Sequence, residues 1–405
     1  IKNKKENYTS EKNLIDQLDK LLNNAVKKQL ISDVPVGCFL SGGIDSSLIA
    51  SYMQSNYPKK INTFSIGFKN QEYDESFFSN QISKALDTNH YQLMIDYNDI
   101  ENSIPNLVDV YDEPYADTSQ IPTLFMSKFA KEKVGVVLSG DGGDEFFGGY
   151  NRYVWAPKIL NYKKNYFFKN FFKLINVKTF EVLYEIVKPL LFSKYKFKSP
   201  KDKILKFKNI LKENNSLDIY KNLTRNNDNE YISFDFQYDH NLELLEKIWS
   251  SFKTFEDKMM IADVLTYLPD DILVKIDRAS MSHSLETRVP FLDVNVIKFG
   301  INLNNSLKFN NNQNKIILRN LLANKIPKNY LMSNKRGFDA PMDEWMRNPL
   351  KDWCNDMLNN KILYENFDID KNKLLNDWNG FISKQNEKMF PIWNMVMLSS
   401  WLLKN

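Results

Sequence analysis

The chain has 405 residues, 43% hydrophobic and 14% aromatic, which is enough apolar side chain for one or two packed cores. A net charge of +4 argues against a nucleic-acid binder, and only 13 glycines exclude collagen-like and linker-like sequences. Two cysteines, three histidines and the lack of a long apolar run argue against a disulfide framework, a histidine metal cluster and a membrane span, and point to a reducing, cytoplasmic setting.

Taken in chain order, Leu14, Leu18, Leu21, Leu22 and Val26 recur at helical spacing behind Ser10, which predicts a capped helix over Ser10 to Ile31. The apolar run Val34 to Leu40 reads as a buried strand that breaks into S-G-G-I-D-S-S (Ser41 to Ser47), with a helix to follow. Strand-like runs at Ile61 to Phe68, Tyr91 to Ile95 and Val134 to Leu138 alternate with helical patterns over Asp74 to Leu86 and Ser119 to Lys131. The last of these strands ends in S-G-D-G-G-D-E-F-F-G-G-Y (Ser139 to Tyr150). Such alternation predicts an α/β fold with a parallel sheet and helices on both faces, followed by a mainly helical second half. The Lys- and aromatic-rich stretch Tyr162 to Lys212 reads as amphipathic helices, with an RNA or anionic-surface contact as the competing reading. Asn222 to Asn229 and Asn310 to Asn314 read as loops.

Seven of the 13 glycines fall in the two windows Ser41 to Ser47 and Ser139 to Tyr150, both at the carboxyl ends of predicted strands, where open parallel sheets bind ligands. In the first window Ser41, Gly42 and Gly43 offer unobstructed N–H groups, Ser46 and Ser47 offer hydroxyls, and the following helix favours an anion. The G-K-[ST] ending of a Walker loop is absent, and the plain alternative is a tight turn capped by Asp45. A carboxylate beside phosphate calls for a cation, and Mg²⁺ shared between Asp45 and an acid of the second window, Asp141, Asp144 or Glu145, meets that need.

Two later segments add candidates. In Leu268 to Asp293, Leu273, Ile276, Met281 and Leu285 can form one buried helical side, leaving Lys275, Asp277, Arg278, Glu286 and Arg288 as ion pairs or site residues. Lys335 and Arg336 lie in the loop segment K-R-G-F-D-A-P-M-D-E-W.

These four segments, in this order, resemble the synthetase domain of the glutamine-hydrolysing asparagine synthetase family over roughly Glu11 to Trp401. The first window resembles that family's pyrophosphatase (PP) loop, the second its other ATP-site motif, and R-V-P-F-L-D with the Lys335 loop its later signatures. The resemblance implies a ligase that activates a carboxylate with ATP as an acyl-adenylate and aminates it with ammonia, most simply aspartate to asparagine. It further implies that Ser41, Gly42, Gly43, Asp45, Ser46 and Ser47 hold pyrophosphate, that Leu40, Ile66, Ser139 and Gly140 contact adenosine, and that Asp45 and Asp144 coordinate Mg²⁺. Lys335 would neutralise phosphate charge, with Asp141, Glu145 and, toward the substrate, Arg278 as further candidates. Family members often carry Glu where this chain has Asp141, which keeps amidation of another carboxylate, such as a uronic acid of surface polysaccharide, as a second reading. A non-catalytic nucleotide- or RNA-binding module is the reading from another class.

The resemblance divides the chain into residues 1–32, a joint to a glutaminase domain; 33–150, the ATP-binding core; 151–250, a helical insertion; and 251–405, the helical remainder. The chain opens on Ile1 rather than Met, so it reads as a fragment or a processed chain. A glutaminase is the expected partner, within the parent protein or in trans, and a homodimer remains open.

Overall fold

Five short runs pair as parallel strands: β1 (Val36–Phe39), β2 (Asn62–Phe68), β3 (Asn89–Ile95), β4 (Val136–Leu138) and β5 (Glu286–Arg288), in the order β3-β2-β1-β4-β5. The computed structural model describes residues 10–164, 208–330 and 340–405, apart from 71, 72, 75, 214, 225–230, 233–239 and 312. Helices α1 (Glu11–Gln29), α2 (Ile44–Asn56), α3 (Ser76–Leu86), α4 (Tyr97–Tyr111), α5 (Gln120–Lys131), α6 (Gly143–Phe147) and α7 (Asn151–Lys164) accompany the first four strands. The chain is thus an α/β domain around a parallel sheet, followed by a mainly helical C-terminal half.

The strand period of two sorts side chains onto two cores. Val36, Cys38, Leu40, Val136 and Leu138 enter one cluster with Leu14, Leu18, Leu22 and Val26 of α1. Phe39, Phe64, Ile66, Phe68 and Val137 enter the other, with helices of the C-terminal half. The helix predicted behind Ser10 forms, and the Ser10 hydroxyl accepts from Asn13 N at 3.3 Å. Cys38 sits inside β1, and burial raises the pKa of both its thiol and that of Cys354.

Three features depart from the sequence expectations. Helix α4, closed at its start by a reciprocal Asp96–Asp99 capping box, lies where none was predicted. The fifth strand comes from Glu286–Arg288, so the sheet draws on both sides of residue 150. In the segment Leu268 to Asp293, Ile276 and Leu285 are buried, but Met281 is 55% exposed, because the run splits into a π-helical turn, Leu268–Leu273, and a short helix, Val274–Met281. No helix among the described residues is long and apolar enough to cross a membrane.

Candidate active site

The sheet order places β1 and β4 side by side, and from there the chain proceeds to β2 on one side and β5 on the other. Their carboxyl ends therefore bring the two glycine windows together at the point where connections diverge, the usual ligand crevice of such sheets. A cavity of about 750 Å³ opens there, lined by Leu40, Ser41, Gly43, Asp45, Ser46 and Ile66 from the first half, and by Ser139, Gly140, Asp141, Asp144 and Glu145 from the second window.

The first window folds back on itself. Gly43 N donates to Ser41 Oγ at 3.3 Å, and Ser41 N donates to Ser46 Oγ at 3.3 Å. Gly42 takes φ +80°, and a Cβ there would collide with the start of α3 at Phe78 and Ser79, so glycine serves both conformation and space. Gly43 stands at the N-cap of α2 with no side-chain acceptor, and Asp45 lies in the first turn rather than acting as the cap. The alternative of a turn capped by Asp45 is not what forms, because the cap position falls on Gly43. Ser47 is wholly buried, and neither it nor Gly42 lines the cavity.

The second window is shaped around carboxylates. A Cβ on Gly143 would fall on the Asp45 carboxyl group, and one on Gly149 would fall on Asp144 and the Lys315 stem. Asp45 Oδ2 and Asp144 Oδ1 both pair with Lys315 Nζ, the latter at 2.6 Å. Asp141 Oδ2 accepts from Ser139 Oγ at 2.5 Å, and Glu145, only 2% exposed, accepts from the Tyr150 hydroxyl at 2.5 Å.

Lys315 was not among the sequence candidates; the polar run recognised as a loop stops at Asn314. Its backbone is left-handed, φ +55° and ψ +41°, at the N-cap of the helix Ile316–Leu322. Asn314 Nδ2 donates to Gly149 O at 2.8 Å, and Arg319 Nε donates to Asn314 O at 2.8 Å, so this turn is tied to the second window. Burial opposes the charge on Lys315, but Asp144 and Asp45 outweigh it and hold the ammonium pKa above its ordinary value. A lysine and an arginine four apart at the start of an apolar helix is the signal that could have marked it.

A second cluster absent from the sequence candidates, except for Lys275, lines the same cavity: Tyr115, Asp117, Tyr267, Asp271 and Lys275. Lys275 Nζ pairs with Asp117 Oδ2 at 3.0 Å, and Asp117 Oδ1 accepts from both N and Oγ of Ser119 at 2.6 Å. Burial would raise Asp117, yet Lys275 and Ser119 overcome it and leave its pKa below the usual carboxylate value. Asp271 accepts from the Tyr115 hydroxyl, and burial together with the charge of Asp117 pushes its pKa up to about 6.

Arg278 is not brought to the cavity: it pairs with Asp112 at 2.6 Å on the exposed surface. Arg288 binds Glu286 and donates to the backbone oxygens of Gln29 and Ile31, fastening the end of α1 to β5. Lys335 lies outside the described residues, as does most of the Lys- and aromatic-rich stretch after Tyr162.

Among the described residues no group of three or more His, Cys, Asp or Glu side chains is arranged to hold a metal. Asp45 and Asp144 meeting on one ammonium nevertheless fit Mg²⁺, which usually takes one or two carboxylates and completes its shell with phosphate oxygens and water.

A family model described as asparagine synthase matches residues 17–403. The asparagine synthetase (glutamine-hydrolyzing) 1 of Bacillus subtilis is 28% identical over 352 residues, 86% of this chain and 53% of that protein. A putative asparagine synthetase (glutamine-hydrolyzing) of Mycobacterium tuberculosis is 28% identical over 350 residues, 84% of this chain and 50% of its own. A shorter match, 46% identical over 140 residues, links 34% of the chain to 27% of a putative asparagine synthetase (glutamine-hydrolyzing) 2 of Methanocaldococcus jannaschii. The chain spans about half the length of the first two of these relatives.

Proposed function

The chain belongs to the asparagine synthase family, and from that premise we propose that it carries the ATP-dependent ligase reaction, amidating a carboxylate, with aspartate as substrate and asparagine as product. The observation that carries the reading is the convergence of Asp45 and Asp144 from two glycine windows at the adjacent ends of β1 and β4. In this reading the substrate carboxylate attacks the α-phosphorus of ATP, pyrophosphate leaves, and ammonia then displaces AMP from the acyl-adenylate, releasing one proton.

The N–H groups and hydroxyls of Ser41, Gly43 and Ser46 receive the pyrophosphate portion, with Gly42 and Ser47 shaping the loop from behind. Leu40, Ile66, Ser139 and Gly140 form the wall for adenosine. Mg²⁺, held by Asp45 and Asp144, supplies charge neutralisation at the phosphates. Lys335 is assigned to the charge that develops there during adenylation. Asp141 and the buried Glu145 border the same space, and in this reading the amination proton is assigned to Asp141. Ammonia comes from a glutaminase, the activity printed in the relatives' names.

Incubation with ATP, aspartate and ammonium is expected to yield AMP and pyrophosphate in equal amounts. Formation of ADP and phosphate instead would overturn the adenylation mechanism. Asp141, one methylene shorter than Glu, favours a second reading in which a different carboxylate is the acceptor. Pyrophosphate release across a panel of carboxylic acids that includes uronic acids decides between the two.

A further inference from the structure

Lys315 has no part in the reaction just proposed, yet the structure spends unusual resources on it. It is 5% exposed, it holds a left-handed backbone conformation that non-glycine residues rarely adopt, and Gly149 leaves the space its stem fills. Its ammonium contacts the same two carboxylates that suit a divalent cation. Two acids brought this close repel each other unless a positive charge lies between them. Together Asp45, Asp144 and Lys315 leave a net charge of about −1, weaker bait for a free cation than two bare carboxylates.

We propose that Lys315 is a positioning residue that serves as a tethered counter-cation: it holds Asp45 and Asp144 together in the nucleotide-free protein and competes with divalent cations for them. Free Mg²⁺ must displace an ammonium gripped by two half-buried acids. A metal–nucleotide complex brings phosphate charge that can take over the displaced ammonium, so the cation enters with its nucleotide rather than ahead of it. Occupation of the site by metal alone, which would obstruct ordered binding, is suppressed. Asn314 and Arg319 keep the lysine at its post through their bonds to Gly149 O and to the turn itself. This inference rests on the assignment of Asp45 and Asp144 as cation ligands.

The test compares the wild-type chain with Lys315→Met, which keeps the length of the stem and removes the charge, using Mn²⁺ as the probe. Without nucleotide, Lys315→Met is expected to bind Mn²⁺ at least about tenfold more tightly than the wild type by electron paramagnetic resonance. In EDTA its Tm is expected to fall by about 3 °C or more and to recover when Mn²⁺ is added, while the wild-type Tm barely responds to Mn²⁺. Equal nucleotide-free Mn²⁺ affinity in the two proteins would overturn the proposal. The double variant Lys315→Met/Asp144→Asn removes the repulsion and keeps the net charge; it is expected to regain stability in EDTA. A double variant as unstable as the single one means Lys315 serves only packing, and the proposal fails. ATP-dependent Mn²⁺ binding to the wild type tests the ligand assignment separately: its absence sinks that assignment, whereas its presence with equal nucleotide-free affinities sinks only the role of Lys315.

Discussion

At one end of the cavity Lys315 lies between Asp45 and Asp144; at the other Lys275 pairs with Asp117 while Asp271 turns to the Tyr115 hydroxyl. Each end holds one lysine and two aspartates, but the charge is shared differently. Lys315 touches both of its acids, and the pair can pass to another cation without rebuilding the site. Lys275 is committed to Asp117, itself fixed by two bonds from Ser119, so Asp271 keeps a pKa near 6. Identical composition therefore yields a lysine shared by two acids at one end and a lysine fixed on one acid, beside a carboxyl group of raised pKa, at the other. Geometry within a few ångströms makes the difference, because the energy between two charges grows as their separation shrinks and is large in a poorly solvated cleft.

The largest effect expected from breaking this comparison lies at the exchangeable end. Asp45→Asn keeps the shape of the side chain but removes one of the two charges that a divalent cation needs. Turnover, read as ATP–pyrophosphate exchange dependent on the carboxylate substrate, is expected to fall by about a thousandfold. Unchanged exchange would remove Asp45 from the cation site. At the fixed end the corresponding loss is one of stability. Lys275→Met leaves the half-buried Asp117 with only its Ser119 bonds, and is expected to cost about 2–3 kcal/mol by denaturant unfolding. Adding Asp117→Asn to that variant should restore much of the loss, since the uncompensated charge is then gone.

Much of this arrangement was legible in the sequence, and the limits have physical causes. Strands β1, β2 and β4 announce themselves as short apolar runs because they are buried along almost their whole length. The three residues of β5, Glu286, Thr287 and Arg288, carry no such pattern, since at an edge the backbone pairs whatever the side chains are. Asp45 and Asp144 were recoverable because glycines crowd around them in a glycine-poor chain. Their lysine was not, because it reaches Asp45 across 270 positions through a turn whose left-handed residue is not a glycine. Lys275 was visible only as a charge on a helix, for its partner Asp117 lies 158 positions away. Local pattern reveals which residues are special; pairing across the sheet reveals what they do.

A smaller effect follows from the titration of Asp271. A carboxyl group whose pKa is higher folded than unfolded binds its proton more tightly in the native state. It therefore costs stability above pH 6, and that cost fades as pH falls toward the ordinary 3.8. Asp271→Asn should raise Tm at pH 8, by a stabilisation of up to about 3 kcal/mol, and leave stability near pH 4 almost unchanged. An equal change in Tm at both values would mean that Asp271 titrates normally and that the two ends of the cavity differ less than their contacts suggest.

The smallest effect isolates the one bond that moderates this acid. The Tyr115 hydroxyl donates to the Asp271 carboxylate and to its backbone oxygen, the latter at 2.9 Å. A donor to the charged form favours ionisation, and Tyr115 is among the groups that hold the Asp271 pKa down against burial. Tyr115→Phe keeps the ring, which stacks on Tyr111 with centroids 4.6 Å apart, and removes only that donor. The Asp271 pKa, followed by carboxyl ¹³C chemical shift, should then rise further above 6 by about one unit, as the loss of a bond to a charged group of roughly 1.5 kcal/mol requires. The same substitution should leave nucleotide-free Mn²⁺ binding at Asp45 and Asp144 untouched, because Tyr115 bonds to neither acid. If Tyr115→Phe altered both readouts, the two lysine–aspartate clusters would be one coupled network rather than two independent ends of the cavity.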